Sequence, residues 1–430
     1  MPARPTPVQT AESLAREIGR PAAVAWTHVL AVLEHARTLG LTELPALEGP
    51  DDTRTAVDVL AGAHPALAAF ADPDVTRLGD RAPTAKAWSA AVDLWRSAPP
   101  MDGGIGLDAG FRLGDAYQEV SEEARKGRAL CQTPPWVADL LLKLALEPAL
   151  DTTHEGVGPD TARMIDPSCG SGHILLRALD SIRWHAPRGR APKPYVSTER
   201  RLERALEAVH GVDLDPYAAL LARYRMLAYA AGALRVPLGK VPTSWPVQVA
   251  AADSLLATDE PLLERGRYDA VVGNPPYITV ADAGLRERIR AAYPQVARGK
   301  FSLALPFSEL MFALAVPGRG RIAQLTTNAW MKREYGKAFT EEFLPQFHIE
   351  WIIDTSGCYI PGHGTPTMIL VTRACPPQGD TVRAILGKQG EPHVPDDPAL
   401  GLVWRAIEQA VHRRLDHDRF QRGMEAYHQA

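Results

Sequence analysis

Asp269-Ala270-Val271-Val272-Gly273-Asn274-Pro275-Pro276-Tyr277 reads as a buried strand that runs straight into a stiff loop. Two consecutive prolines cannot donate backbone hydrogen bonds and hold the chain extended. The loop therefore keeps the Asn274 amide and the Tyr277 ring in fixed relative positions. An amide oxygen and a backbone carbonyl can accept both protons of an NH2 group, while the ring stacks on a planar group. Methylation of a planar amine calls for that set.

Outward from this stretch the chain alternates strand, loop and helix from about residue 161. Predicted strand ends are Met164–Asp166, Val209–Asp213, Gln248–Asp253 and Tyr268–Gly273, followed by Arg321–Thr326, Ile349–Asp354 and Pro366–Thr372. Helices are expected at 172–183, 215–232, 302–315 and 334–344. Such alternation implies an α/β domain with a doubly wound, mainly parallel sheet. Before it, 10–40, 55–70 and 84–97 read as helices, and 111–145 as two helices around Gln132-Thr133-Pro134-Pro135. The expected division is an N-terminal helical region (1–105), a catalytic domain (106–375), and a linker with a closing helix (376–430).

Three strand ends carry acids. Asp166-Pro167-Ser168-Cys169-Gly170-Ser171-Gly172-His173 follows a short strand and opens a helix. Its glycines permit close backbone approach to a ligand, although a GxG core is weak as a dinucleotide fingerprint. A carboxylate at the end of the first strand suits the positively charged amino-acid end of S-adenosyl-L-methionine. Asp213, in Val212-Asp213-Leu214-Asp215, can accept both ribose hydroxyls of a nucleoside. It lies 47 residues beyond Asp166, and a basic, proline-rich insertion at 186–197 accounts for the length. Asp253, followed by Ser254, can bind the cofactor's adenine or position the target amine. One such acid is commonly a turn or helix cap; three on successive strands line the edge where an open α/β sheet binds ligands. His173 is expected to bond near a helix start rather than to ligate a metal, and Cys169 to be a small loop residue. No metal site is expected.

The composition is globular, with 46% hydrophobic and 23% charged residues and a net charge of -4, so any polyanion contact must come from a local patch. Residues 41–120 are acidic, with thirteen Asp/Glu against six Lys/Arg. Basic residues gather at Arg183–Arg204, 286–300 and 319–337, where they can contact phosphates or face solvent. The four scattered cysteines fit a reducing cytoplasm, and neither a signal peptide nor a membrane span is expected.

The order Cys131-Gln132-Thr133-Pro134, Asp166–Gly172, Asp213-Leu214-Asp215, Asp253-Ser254, Asn274–Tyr277 resembles the adenine-N6 DNA methyltransferases of the gamma class. Tyr117–Lys126, Ile353–Gly357 and Pro361–Thr367 are similar to the PglX family, the large methyltransferases of bacteriophage-exclusion (BREX) defence systems. The resemblance covers about 110–405. It implies a class I S-adenosylmethionine-dependent, Rossmann-like fold and a role in phage defence or restriction-modification. Asn274, Pro275, Pro276 and Tyr277 would be catalytic. Thr133, Asp166, Ser168, Gly170, Gly172, Asp213, Leu214, Asp253, Ser254 and Asn274 would bind the cofactor. The implied substrate is DNA, with an adenine flipped onto Tyr277 and Tyr359 or His363 on its second face. Protein glutamine or RNA bases are alternative substrates of the same loop chemistry, and a non-catalytic DNA-binding subunit is the alternative of another class. The family carries a large target-recognition region after the catalytic domain. Some 55 residues follow Cys375, so targeting is expected from a partner protein.

Overall fold

A computed structural model describes residues 6–79, 81–97, 107–121, 132–153, 156–185, 196–362, 365–387 and 390–429, with side chains for all of these except 107–111 and 419–429. The Gly-rich stretch 102–106, residues 122–131 with Cys131, most of the basic insertion (186–195), His363 and Gly364 lie outside the described residues.

The helices are α1 (Pro7–Ile18), α2 (Arg20–Thr38), α3 (Pro50–Ala63), the single turn α4 (Pro73–Thr76), α5 (Ala85–Arg96), α6 (Leu107–Val120) and α7 (Pro135–Leu150). The stretch expected as one helix over 10–40 is two, because Gly19 turns the chain at φ 81 and Pro21 starts the next helix. Then come β1 (Met164–Asp166), α8 (His173–Trp184), α9 (Thr198–Ala208), β2 (Val209–Asp213), α10 (Pro216–Leu234), β3 (Gln248–Ala251) and β4 (Ala270–Gly273). They are followed by α11 (Ala283–Ala292), α12 (Ala304–Leu314), β5 (Arg321–Thr327), β6 (His348–Asp354), β7 (Thr367–Arg373), β8 (Arg383–Leu386) and α13 (Leu402–Gln429).

One sheet runs β3-β2-β1-β4-β5-β7-β6-β8, and only β7 is antiparallel to its neighbours. Alternate residues feed two cores. Met164, Ala270, Val272, Ala323 and Leu325 face α7, α8, α10 and the N-terminal helices. Ile165, Val271, Ile322 and Leu370 face α11 and α12. The sheet is thus doubly wound, and its order reverses between β1 and β4, where a crevice opens at the carboxyl ends of the strands.

The N-terminal helices share a core with the sheet domain. His28 and His35, two turns apart on α2, bond through Nδ1 to the hydroxyls of Tyr217 and Tyr224, two turns apart on α10, at 2.8 and 2.7 Å. The Trp26 indole donates to the Leu78 carbonyl at 2.9 Å. At the other end, α13 buries Trp404, Ile407 and Val411, and Trp404 meets Trp136 of α7 edge-on at 4.3 Å. The closing helix therefore covers α7 within this chain.

Three readings need correction. Residues 334–344 are not one α-helix but a 3-10 turn (Glu334–Gly336) and a π-helical turn (Phe339–Phe343), with Pro345 barring regular continuation. The stretch read as a linker over 373–398 contains β8, which pairs with β6. Helix α11 was not expected; its many charges hide a single buried stripe residue, Ile289.

Candidate active site

The carboxyl edge gathers the strand-end acids around one cavity of about 530 Å3. Gln132, Thr133, Asp166, Ser168, Gly170, Asp213, Leu214, Asp253, Ser254, Asn274 and Pro276 line it. Asp166 ends β1 and is 2% exposed. Its Oδ1 accepts from the Ser168 N–H at 3.0 Å. Burial pushes its carboxyl up to about 7 against that hydrogen bond, and the Asp213 charge adds to the rise. Gly273 makes room for this carboxylate, since a Cβ there would lie 3.2 Å from Asp166 Oδ1.

Asp213 ends β2 and ties the glycine turn to its own strand. Its Oδ2 accepts from the Gly170 N–H and its Oδ1 from the Asp215 N–H, both at 2.8 Å. Asp253 accepts from the Leu255 and Leu256 N–H groups at 3.0 and 3.2 Å, and the Ser254 hydroxyl donates to the Pro167 carbonyl at 2.6 Å. Gly172 stands behind the cavity at φ 90, pressed against α10, where a Cβ would meet Ala222 at 2.9 Å. Burial lifts the Cys169 thiol well above its ordinary range, so it stays protonated and packs.

Behind the turn lies a polar network that sequence reading missed. Arg225 of α10, fully buried, donates to the carbonyl of Ser171 and to its hydroxyl. Gln132 donates to the same hydroxyl at 2.8 Å. His173 meets Asp115 of α6 at 3.2 Å through Nε2 and Arg225 at 3.4 Å through Nδ1. Burial and the Arg225 charge hold His173 down to about 4, so the ring is neutral, with Nε2 donating and Nδ1 accepting. Helix α6 comes this close because Gly114 has no side chain; a Cβ would lie 2.5 Å from His173. Tyr117 of α6 donates to Asp215 at 2.5 Å. Nothing in the spacing of Gly114, Asp115 or Arg225 signals the contact, since two helices far apart in sequence, α6 and α10, supply them.

Asn274 follows β4, beside Asp166 across the β1–β4 crevice. The Tyr277 hydroxyl donates to Asn274 Oδ1 at 2.6 Å and so holds the amide and the ring as one unit. Pro275 and Tyr277 lie next to the cavity wall without lining it. Beyond Pro276 the wall is mainly apolar, with Ile278, Val280, Leu285, Ile289, Leu303 and Phe307 alongside Thr279 and Asp282. These apolar residues were not anticipated, because α11 and α12 supply half of them and the loops before these helices the rest. The cavity thus joins the strand-end acids to a mainly apolar wall, and its size is ordinary for a cofactor site.

The basic runs divide. Arg183 donates to the Tyr229 hydroxyl, Arg200 pairs with Glu203 at 3.0 Å, and Arg204 is buried on the carbonyls of Ile182 and His185. Arg188, Arg190 and Lys193 lie outside the described residues. Arg298 pairs with Glu342 at 2.7 Å, Arg319 with Asp269 at 2.9 Å and Arg321 with Glu350 at 3.4 Å. Lys332, Arg333 and Lys337 are exposed just past β5, at the edge that carries the cavity.

Residues 207–360 match the Eco57I restriction-modification methylase family. The chain is 38% identical over 352 residues to the adenine-specific methyltransferase PglX of Streptomyces coelicolor, an alignment covering 72% of this chain and 28% of that protein. It is 27% identical to the type II methyltransferase M.PaeR7I of Pseudomonas aeruginosa, covering 55% and 38%. The chain therefore spans well under half the length of these curated relatives. In fold it is similar to the type IIL restriction-modification enzyme MmeI, solved in complex with DNA (TM-score 0.60, 13% identity, 93% of this chain and 62% of that one). A modification subunit of a putative type I restriction enzyme from Vibrio vulnificus is also similar (TM-score 0.52, 17% identity, 91% and 84%).

Proposed function

The chain carries an Eco57I-type restriction-modification methylase domain and is a relative of the adenine-specific methyltransferase PglX, and from that premise we propose that it transfers a methyl group from S-adenosyl-L-methionine to adenine N6 in DNA. The observation that carries the reading is the shared cavity. Asn274, the first residue of the Asn-Pro-Pro-Tyr loop, opens onto the same space as Asp166, Asp213 and Asp253.

In this reading Asp166 faces the cationic amino-acid end of the cofactor, with Thr133 and Ser168 beside it. Asp213 takes the ribose hydroxyls. Leu214, Asp253 and Ser254 bound the adenine, whose faces meet the apolar wall. Gly170 and Gly172 let the turn pass close. Bound S-adenosyl-L-methionine supplies a methyl group on a sulfonium, a good leaving group. Asn274 Oδ1 and the Pro275 carbonyl would accept hydrogen bonds from the two N6 hydrogens and favour a more tetrahedral, nucleophilic nitrogen, which after methylation releases one proton to water. Pro276 stiffens the loop. Tyr277 stacks on the flipped base, and Tyr359, half-exposed after β6 at the same edge, is proposed for its other face. Positioning contributes most of the rate, because the amine needs no strong base.

The working location is the cytoplasm, and the role a restriction-modification or phage-defence system with a partner for targeting. The cavity serves the cofactor and one base, whereas sequence readout takes an interface of roughly 1,000–2,500 Å2. The test is tritium transfer from labelled cofactor to DNA, with Asn274→Ala beside the wild type and long-read mapping of modified adenines. We expect label in DNA, near-complete loss in Asn274→Ala with cofactor affinity retained, and little sequence selection by the chain alone. Label in protein or RNA would move the substrate assignment, and undiminished transfer by Asn274→Ala would refute the catalytic one. A single fully modified motif would show that the chain reads sequence by itself.

A further inference from the structure

The segment that follows β5 has a design the catalytic account leaves unused. Thr327 caps a short 3-10 turn, Asn328–Met331, by accepting from the Ala329 N–H at 3.1 Å. Trp330 is buried and meets Phe339 edge-on at 5.0 Å. The Asn328 N–H donates to the Pro366 carbonyl at 3.2 Å, which ties the turn to the start of β7. Gly336 folds back over the turn so closely that a Cβ would sit 1.9 Å from the Trp330 carbonyl oxygen. The loop is therefore anchored at Asn328, Trp330 and Gly336. Between the anchors it holds Met331, 51% exposed, followed by exposed Lys332 and Arg333. Glu334 is the one carboxylate of this tip, and Lys337 restores the positive balance. No carboxylate among the described residues pairs with either Lys332 or Arg333.

We infer that Met331 is a wedge that enters the DNA stack beside the flipped adenine, with Lys332 and Arg333 on the flanking phosphates; this rests on the DNA reading above. Strand β5 neighbours β4, whose end carries Asn274, so the tip and the catalytic loop rise from adjacent strands at one sheet edge. A flipped base leaves a gap in the duplex, and an exposed, unbranched apolar side chain followed by two cations suits filling it. Packing gives no other use for an exposed Met on a turn this firmly held.

The test compares wild type, Met331→Ala and Met331→Leu on two mixed-sequence duplexes. One is fully paired; in the other, adenines face abasic sites, so they have no pairing partner and flip at lower cost. Met331→Ala should lose about tenfold or more in methyl transfer to the paired duplex while staying within about twofold on the pre-opened one. Met331→Leu should behave as wild type. Equal losses on both duplexes, or none on either, would overturn the wedge. Gel-shift binding is measured in parallel, since it needs no turnover. Met331→Ala should lose affinity for the paired duplex and keep it for the abasic one, so its preference for the abasic duplex should exceed that of wild type; an unchanged preference also overturns the wedge. Absence of label in any DNA, with binding preference intact, would count against the catalytic reading alone.

Discussion

Under the proposed function, Asp166 is a residue whose ionisation cofactor binding would change. Its carboxyl is pushed up to about 7 because burial, with the Asp213 charge, outweighs the two hydrogen bonds it accepts from Ser168 at 3.0 and 3.4 Å. A bound cation favours the anion and draws the pKa down, so binding below neutrality must release a proton. On the proposed assignment, only the deprotonated fraction would attract the cofactor's charged end. Affinity should therefore fall roughly tenfold from pH 8 to pH 6 as that fraction shrinks. Calorimetry in two buffers of different ionisation heat would measure both the fall and the proton released. Asp166→Asn should bind more weakly at pH 8 and show a flat profile; an unchanged slope in that variant would assign the proton elsewhere.

Among the elements, α6 and α10 form the frame of the glycine turn. Arg225 reaches Ser171 from one side and Asp115 approaches through His173 from the other. Burial lowers the Arg225 guanidinium to about 9, still charged at neutral pH. A buried charge is weak as a source of stability, yet here it fixes the backbone that approaches the ligand. Arg225→Met should raise the KM for cofactor by about tenfold with kcat nearly unchanged, the signature of lost uniform binding. Gly114→Ala, which pushes α6 off the same network, should give the same split without touching the charge. A fall in kcat alone would place Arg225 in the chemical step instead.

At the scale of the whole molecule, the shared core sets the response to acid. His28, His35, His173 and His210 are all buried and held down to about 4, chiefly by burial. Unfolding returns each to about 6.5, so the unfolded chain binds more protons in between, and stability is lost as pH falls through that window. Each contributes up to roughly 3 kcal/mol. Asp166 and half-buried Glu309, both raised to about 7, act in the opposite sense over the same range. Four against two leaves the histidines dominant. Urea unfolding should show lower stability at pH 5.5 than at pH 7.5, with the N-terminal helices and the sheet domain melting together. A separate early transition for residues 6–79 would show that the α2–α10 contact does not couple them.

The alternation of short apolar runs with helical stretches was enough to specify a doubly wound parallel sheet, because strand and helix periodicities are local. Acids at strand ends and the Asn-Pro-Pro-Tyr loop marked its carboxyl edge for the same reason, and the cavity gathers Asp166, Asp213, Asp253 and Asn274. What the sequence left open depends on contacts between distant segments. The Arg225–Ser171–Gln132 bonds and the α2–α10 pairing join residues 39 to 189 positions apart, and the mainly apolar wall that α11 and α12 help to build buries side chains whose neighbours give no periodic signal. Charge runs misled for a related reason: composition shows Arg183, Arg204 and Arg298 as basic, and only the packed chain shows them taken by Tyr229, backbone carbonyls and Glu342. Local order wrote the sheet and its edge into the sequence; tertiary packing decided which polar groups would be used up inside and which, such as Lys332 and Arg333, would remain to meet a partner.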